Sequence, residues 1–378
     1  MTEAKKPKTT EGLRGQKAGQ TSISTVGKEG VGLTYRGYEI GELAEKATFE
    51  EVAYLLMHEK LPTQGELDAY KKRLQMMRNL PDAMKKVLEK IPANANPMDV
   101  MRTGCSMLGT LEREDSFAQQ HVIADRLAAI FPSILCYWYR FHKDGTRLDT
   151  EDSTEDTIAG HFLHLLHGKQ PSASDRRCMD VSLILYAEHE FNASTFACRV
   201  CSATLSDFYS GITAGIGTLR GPLHGGANEA AMDLIQRFSN PDEAKKGILK
   251  ALENKEKIMG FGHAVYSVSD PRNTVIKQWA KKLSDEMGDY RMYAVAEAIE
   301  KTMWDEKKLF PNLDFYSACT YHFMGIETKL FTPIFVMSRV SGWSAHIMEQ
   351  RANNRLIRPS ADYIGAEIRS FLPIDKRA

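Results

Sequence analysis

His224 stands between a proline and two glycines in RGPLHGGANEAA, residues 220–231. Glycine removes a Cβ and admits backbone or ligand closely, while proline fixes its own φ and donates no N–H. The helix-favouring run NEAAMDLIQRF follows, so the spacing predicts a tight turn that leads His224 into a helix. Three other windows place reactive side chains at similar breaks. YAEHEFNAS puts His189 at an expected helix end, before Asn192. GFGHAVYSVSDPR puts His263 in a glycine-flanked stretch ahead of an Asp-Pro-Arg. FPNLDFYSA puts Asp314 after a Pro-Asn break, at an expected helix entrance. Arginines stand at 272, 339, 355 and 358. Histidine and carboxylate exchange protons near neutral pH, and arginine clamps carboxylates in two-pronged fashion. Together these residues suit proton-transfer chemistry on a small dicarboxylate. Taken one at a time, each of these arginines reads better as a surface ion pair.

Other histidines and cysteines invite different chemistry. His161, His164 and His167 in HFLHLLH fall within a ~120° sector of one helix, which could grip a metal. No cysteine or acid at ligand spacing completes the set, so packing at a helix interface is the favoured reading and no metal is expected. Cys198 and Cys201 form C-x-x-C in FACRVCSA, but inside an apolar helix rather than at the helix N-terminus where a redox thiolate is stabilised. Two buried thiols are expected there. No GxGxxG or Walker loop is present, and GITAGIG lacks the Lys-Ser/Thr that would cradle a phosphate.

The elements that must position these groups are helical. TFEEVAYLLMHEKLP opens with Thr48 and Glu51 at capping-box spacing. NPMDVMRTGCSML and NPDEAKKGILKALENK each open with an Asn cap and a proline in the first turn, and HFLHLLHGK stops at Gly168. Strand-like alternation is confined to TSISTVGKEGVGLTYRGYEI, so the chain reads as mainly α with a small N-terminal β element. KDGTRLDTEDSTEDT, residues 143–157, reads as an exposed polar loop. No linker separates domains, although 378 residues allow more than one. Lysine plus arginine and aspartate plus glutamate number 49 each, so no global field recruits nucleic acid or an anionic membrane. The stretches PIFVM and VSLILYA are too short to span a bilayer. The N-terminus, MTEAKKPKTTEGLRGQKAG, has no apolar core of a secretion signal and reads as a mobile basic arm. The six cysteines lie mostly in apolar helical contexts, as reduced thiols do, and the expected compartment is the cytoplasm.

The windows GPLHGGANE, GFGHAVYSVSDPR and NLDFYSA, in that order, resemble the citrate synthase superfamily, and the similarity runs from LTYRGYEIGELAEKATFEEVAYLL to NNRLIRPSADYIG. NPMDVMRTG, AGHFLHLLHG, LYAEHEFNASTF, MWDEKKLFPNLDFYSA and the terminal DKR are similar to the branch of bacterial 2-methylcitrate synthases. The resemblance implies a two-domain helical fold with its active site in the cleft. Residues 1–226 and 327–378 would form a large domain and residues 227–326 a small one. It implies that Asp314 removes an α-proton from an acyl-CoA thioester, that His224 hydrogen-bonds the thioester carbonyl, and that His263 donates to the ketone oxygen of oxaloacetate. His189, Arg272, Arg339 and Arg358 match oxaloacetate-binding positions, the last reaching in from the other subunit of a homodimer. Lys257, Ile258, Met259, Gly260 and Phe261 match the CoA-contacting stretch. No cofactor is implied; the acyl-CoA is a substrate.

Elementary chemistry agrees with those roles. A thioester α-proton is too weakly acidic for a lone carboxylate, and a placed donor at the carbonyl oxygen supplies ~3 kcal/mol or more. Burial makes a carboxylate more basic, glycines 225 and 226 would clear a path to His224, and a closing cleft would keep water from the activated intermediate. Two departures stand out. Ala264 and Ser267 occupy places where compact bacterial citrate synthases carry Arg and Lys, which leaves open the residues that hold the CoA phosphates. Tyr186 stands where other citrate synthases carry histidine, as in the methylcitrate-forming branch. The expected reaction joins propionyl-CoA, oxaloacetate and water into 2-methylcitrate and CoA. The alternatives are a preference for acetyl-CoA and, more remotely, a non-catalytic metal binder.

Overall fold

The computed structural model describes residues 16–28, 32–263 and 265–377. The sheet is where the alternation places it. β1 (Ser24–Lys28), β2 (Gly32–Tyr35) and β3 (Tyr38–Glu39) pair antiparallel in that order, with a bulge between Val26 and Lys28. Sixteen α-helices follow among the described residues. The first eight are α1 (Ile40–Lys46), α2 (Phe49–His58), α3 (Gln64–Met76), α4 (Asp82–Lys90), α5 (Pro97–Leu111), α6 (Gln120–Asp144), α7 (Ile158–His167) and α8 (Ala173–Tyr186). The rest are α9 (Ala193–Ala203), α10 (Phe208–Leu219), α11 (Ala227–Ile235), α12 (Pro241–Glu253), α13 (Pro271–Met287), α14 (Tyr290–Lys307), α15 (Leu313–Phe323) and α16 (Phe331–Ala352).

The caps form as their sequences predict. Thr48 and Glu51 close a capping box on α2, Asn96 and Asn240 cap α5 and α12, and α7 ends at a left-handed Gly168. Two long helices carry the core. α16 is buried along nearly its whole length and packs on α2, α6, α8, α9 and α10. α6 is buried from Ile123 to Tyr139 despite Pro132 in its interior. The continuous stretch Phe117–Asp144 is long and apolar enough to cross a membrane by composition, but its most apolar part is almost wholly buried inside the protein. Helices α11 to α15 pack mainly on one another, through the pairs α13·α15, α12·α14 and α11·α15. They meet the remaining helices where α13 touches α1 and α8, where α15 touches α8, and where α11 touches α16. The site lies along that seam.

Three expectations need correction. The 143–157 segment is not wholly exposed: α6 runs into it, Thr150, Glu155 and Thr157 are buried, and Arg78 donates to the carbonyls of Glu155 and Thr157. Cys198 is buried, but its C-x-x-C partner Cys201 is only half-buried; all six thiols are free. The basic arm falls in two parts. Residues 1–15 lie outside the described residues, whereas Gln16 to Gly19 are exposed and border the large cavity.

Candidate active site

A cavity of about 1300 Å³ opens along the seam. His189, His224, His263 and Asp314 all line it, as do Arg272 and Arg339. The whole segment from Lys257 to Phe261 lines it too. Arg358 and Arg355 do not; both are exposed on the segment beyond α16. Among the described residues no three His, Cys, Asp or Glu side chains are grouped to hold a metal ion. His161 is instead sunk in the core, with Nε2 3.3 Å from the Ser133 hydroxyl.

His224 sits on the turn before α11, as its glycines predict. The reason for those glycines is different. A Cβ on Gly225 would stand 2.1 Å from the carbonyl oxygen of Leu219, so Gly225 permits close packing of the turn on the end of α10. Gly226 has φ +79° and caps α11 in the left-handed region, with nothing within 4 Å of its Cβ position. Only Gly226 fits the expected clearance. His224 Nε2 accepts from the backbone N–H of Ser194 at 3.2 Å, and the Ser194 hydroxyl lies at 2.8 Å. A backbone N–H can only donate, so the neutral ring carries its proton on Nδ1. Burial, with Arg339 assisting, pushes the imidazole down to about 4, so it stays neutral.

His263 lies in the loop between α12 and α13, and its tautomer is the opposite one. Its Nδ1 accepts from the N–H groups of Val265 and Tyr266, at 3.1 and 3.3 Å, which puts the ring proton on Nε2. Burial and then Arg272 also push it down to about 4. His189 follows α8, with its ring 4.9 Å from that of His263 and its Nε2 3.1 Å from the Tyr266 hydroxyl. Burial, then Arg272, hold it well below the ordinary histidine value. Neighbours fix its loop: the Tyr35 phenol donates among the carbonyls of Ile184, Leu185 and Glu188, and buried Glu188 accepts from Ser24 and His346.

Asp314 occupies the first turn of α15, which Asn312 caps by accepting from the Asp314 N–H. Burial raises its carboxyl above the ordinary value, against opposing bonds from Tyr186 and the charge of Arg272. The Lys257–Phe261 segment is laced to the approach to that helix. The N–H of Asn312 donates to the Gly260 carbonyl at 2.9 Å, that of Gly262 donates to Phe310 at 2.8 Å, and the rings of Phe261 and Phe315 lie 4.7 Å apart.

The arginines differ. Arg272 is held two-pronged by Asp270, at 2.9 and 2.8 Å. Arg339 donates Nε to the Tyr186 carbonyl at 2.7 Å and has no carboxylate within 4.0 Å among the described residues. Burial pushes it down only to about 10, so it remains a cation at neutral pH. The cavity thus carries an arginine cation with no carboxylate in direct contact among the described residues, beside neutral histidine donors, and its donors are free to meet an anionic guest. The sequence reading missed Ser194, Asp270, Glu188 and Tyr266, which touch or orient the predicted residues. Asp270 was visible as the acid of Asp-Pro-Arg, but its second task was not: Oδ2 also accepts from the N–H of Leu313, tying the Arg272 loop to the helix of Asp314. Ala264 lies outside the described residues, and Ser267 is exposed.

The family described as citrate synthase, C-terminal domain, matches residues 12–360, and the chain belongs to the citrate synthase family. It is 64% identical to a 2-methylcitrate synthase of Shewanella oneidensis over 100% of both chains. It is 45% identical to citrate synthase 2 of Bacillus subtilis, over 98% of this chain and 99% of that one. Its structure is similar to that of Thermoplasma acidophilum citrate synthase in a ternary complex with carboxymethyl coenzyme A and oxaloacetate. The TM-score is 0.89 at 32% identity, covering 97% of this chain and 98% of the other.

Proposed function

We propose that the protein condenses propionyl-CoA with oxaloacetate and water to give 2-methylcitrate and CoA. The observation that carries the chemistry is the pair of neutral histidines with opposite tautomers around one carboxylate. Asp314 takes an α-proton from the thioester while Nδ1–H of His224 hydrogen-bonds its carbonyl oxygen, so that the enolate forms against that donor. The enolate carbon attacks the ketone of oxaloacetate, and Nε2–H of His263 donates to the oxygen that becomes the hydroxyl. Water then cleaves the thioester and releases CoA. Arg272, Arg339 and His189 bind the two carboxylates and the ketone. No cofactor or metal takes part.

The segment 257–261 lies along the acyl-CoA. The exposed lysines 17 and 257 on the cavity lining suit its phosphates, in place of the cations lost at 264 and 267. Residues 227–326 act as the small domain that closes over the substrates. The working unit is a homodimer in which Arg358 completes the partner's site. The exposed Leu356, Ile364, Ile368 and Phe371 beyond α16 favour burial against a second copy. Six free thiols suit a reducing compartment such as the cytoplasm.

Acyl preference rests on the 64% identity to a 2-methylcitrate synthase. The 45% identity to a citrate synthase supports acetyl-CoA as a second substrate. One methylene changes discrimination by only ~1–3 kcal/mol, so activity with both is expected. The test is kcat/KM for propionyl-CoA against acetyl-CoA at saturating oxaloacetate. A higher value for propionyl-CoA is expected; a strong acetyl-CoA preference overturns the assignment.

A further inference from the structure

Tyr186, the last residue of α8, is buried against the cavity and touches two functional residues at once. Its phenol donates to Oδ1 of Asp314 at 2.6 Å, and the Ser317 hydroxyl lies 2.7 Å from the phenol oxygen. Its carbonyl accepts Nε of Arg339 at 2.7 Å. Its ring lies 4.5 Å from that of Phe335, the same ring that Arg339 covers at 4.6 Å. Burial holds the phenol well above its ordinary value, so it is a neutral donor.

We propose that Tyr186 is the positioning residue for the base: its phenol pins Oδ1 of Asp314 and leaves Oδ2 to take the acyl α-proton. The inference rests on Asp314 being that base. Oδ2 has no hydrogen-bond partner among the described residues, and Asp314 lines the cavity. The proton leaves carbon for Oδ2, the C–H electron pair becomes the carbon–carbon double bond of an enolate, and the carbonyl π pair moves onto the oxygen, which Nδ1–H of His224 holds by a hydrogen bond. A carboxylate free to rotate would meet that geometry only part of the time, whereas one held by a charge-assisted bond is pre-organised for it.

The surrounding charges do not replace this contact. Arg272 and Asp270 at the start of α13, and Arg339 on α16, act on Asp314 through space, and Arg272 is already engaged by Asp270. Tyr321, on the same helix as Asp314, bonds to Ser182. Glu229 on α11 accepts from Thr332, and Glu300 on α14 accepts from Lys277 and Tyr316. Among the described residues Tyr186 is thus the side chain that hydrogen-bonds the carboxylate, and its bond favours the ionised form against burial.

The test is Tyr186→Phe in the full chain, which keeps the ring and the carbonyl that anchors Arg339. The kcat for CoA release from propionyl-CoA is expected to fall about 10- to 100-fold, the scale of one hydrogen bond to a charged group. KM for oxaloacetate should hold within about twofold, because the Arg339 anchor is main chain. The acid limb of kcat/KM should move to higher pH, a shift that a merely structural residue would not cause. A folded Tyr186→Phe enzyme with unchanged kcat and limb overturns the proposal. Should that variant fail to fold, Ser317→Ala, which removes the hydroxyl beside the phenol, should move kcat and the limb in the same directions by less; no movement overturns the proposal. A wild-type protein that releases CoA from neither thioester rejects the condensation itself, a result distinct from either.

Discussion

Ser194 turns its backbone N–H toward Nε2 of His224 at 3.2 Å, and that contact sets which nitrogen can donate to a substrate. The hydroxyl of the same residue has other duties: Nε1 of buried Trp343 donates to it at 3.1 Å, and Asn192 Oδ1 lies 2.9 Å away. Ser194→Ala keeps the N–H and therefore the tautomer, but strands the indole N–H. We expect stability to fall by about 1–3 kcal/mol, the cost of an unsatisfied buried donor. We expect kcat to fall less than about tenfold. Urea unfolding beside steady-state CoA release measures both. A loss of activity far greater than the loss of stability would show that the hydroxyl, not the N–H, orients His224.

Asp314→Asn and His263→Ala should each lower CoA release by about 10²- to 10⁴-fold, the range of a positioned acid or base. Neither residue is an anchor of the core: both lie at the cavity, and the amide oxygen introduced by Asp314→Asn could still accept from the Tyr186 phenol. Circular dichroism and thermal unfolding should therefore change little. Turnover near the wild-type rate in either variant would remove the assigned role.

The pH profile follows from the shifts. Asp314 works ionised, and burial raises its carboxyl above the ordinary 3.8. As pH falls through that raised value the base is protonated, so kcat/KM declines along an acid limb lying above 3.8. His224 and His263, pushed down to about 4, stay neutral donors throughout the working range. No limb is expected at the ordinary histidine value of 6.5. A limb centred there that vanishes in His224→Asn would contradict the neutral-donor mechanism.

The glycines after His224 make separable predictions. Gly225→Ala drives a Cβ to 2.1 Å from a backbone oxygen, which no rotamer can relieve. It should destabilise the fold by about 3 kcal/mol or more, the upper range for overpacking. Gly226→Ala meets open space but keeps a left-handed φ of +79°, at a cost of about 1–2 kcal/mol. Thermal melts of the two variants give the order. Gly226→Ala melting below Gly225→Ala would invert this account of the turn.

Local sequence carried much of this site because its residues mark breaks in helices. A cap, a Pro-Asn or a Gly-Gly pair is chemistry over three or four residues, so the entrances to α5, α11, α12 and α15 were readable, and so were the reactive groups they hold. What stayed hidden depends on contacts across the fold. Ser194 meets His224 from 30 positions away, Tyr186 meets Asp314 from 128, and Glu188 meets His346 from 158. No periodicity encodes such pairings. Gly225 was misread for the same reason: its neighbour is the main chain of Leu219, which a turn motif does not name.

Arg358 poses the last question, because it lies outside the cavity of its own chain. If it completes the site of a second copy, each active centre needs two chains. Arg358→Ala and His224→Ala homodimers should then each be nearly inactive, since each removes one required group from both sites. A mixture that exchanges subunits forms heterodimers in which one site carries both lesions and the other carries neither. Half of the heterodimers' sites are then intact. With random exchange of equal amounts, about half the dimers are mixed, so about a quarter of wild-type CoA release should return. Native mass spectrometry of the mixture verifies exchange. Complete exchange without recovery would place Arg358 outside the partner's site.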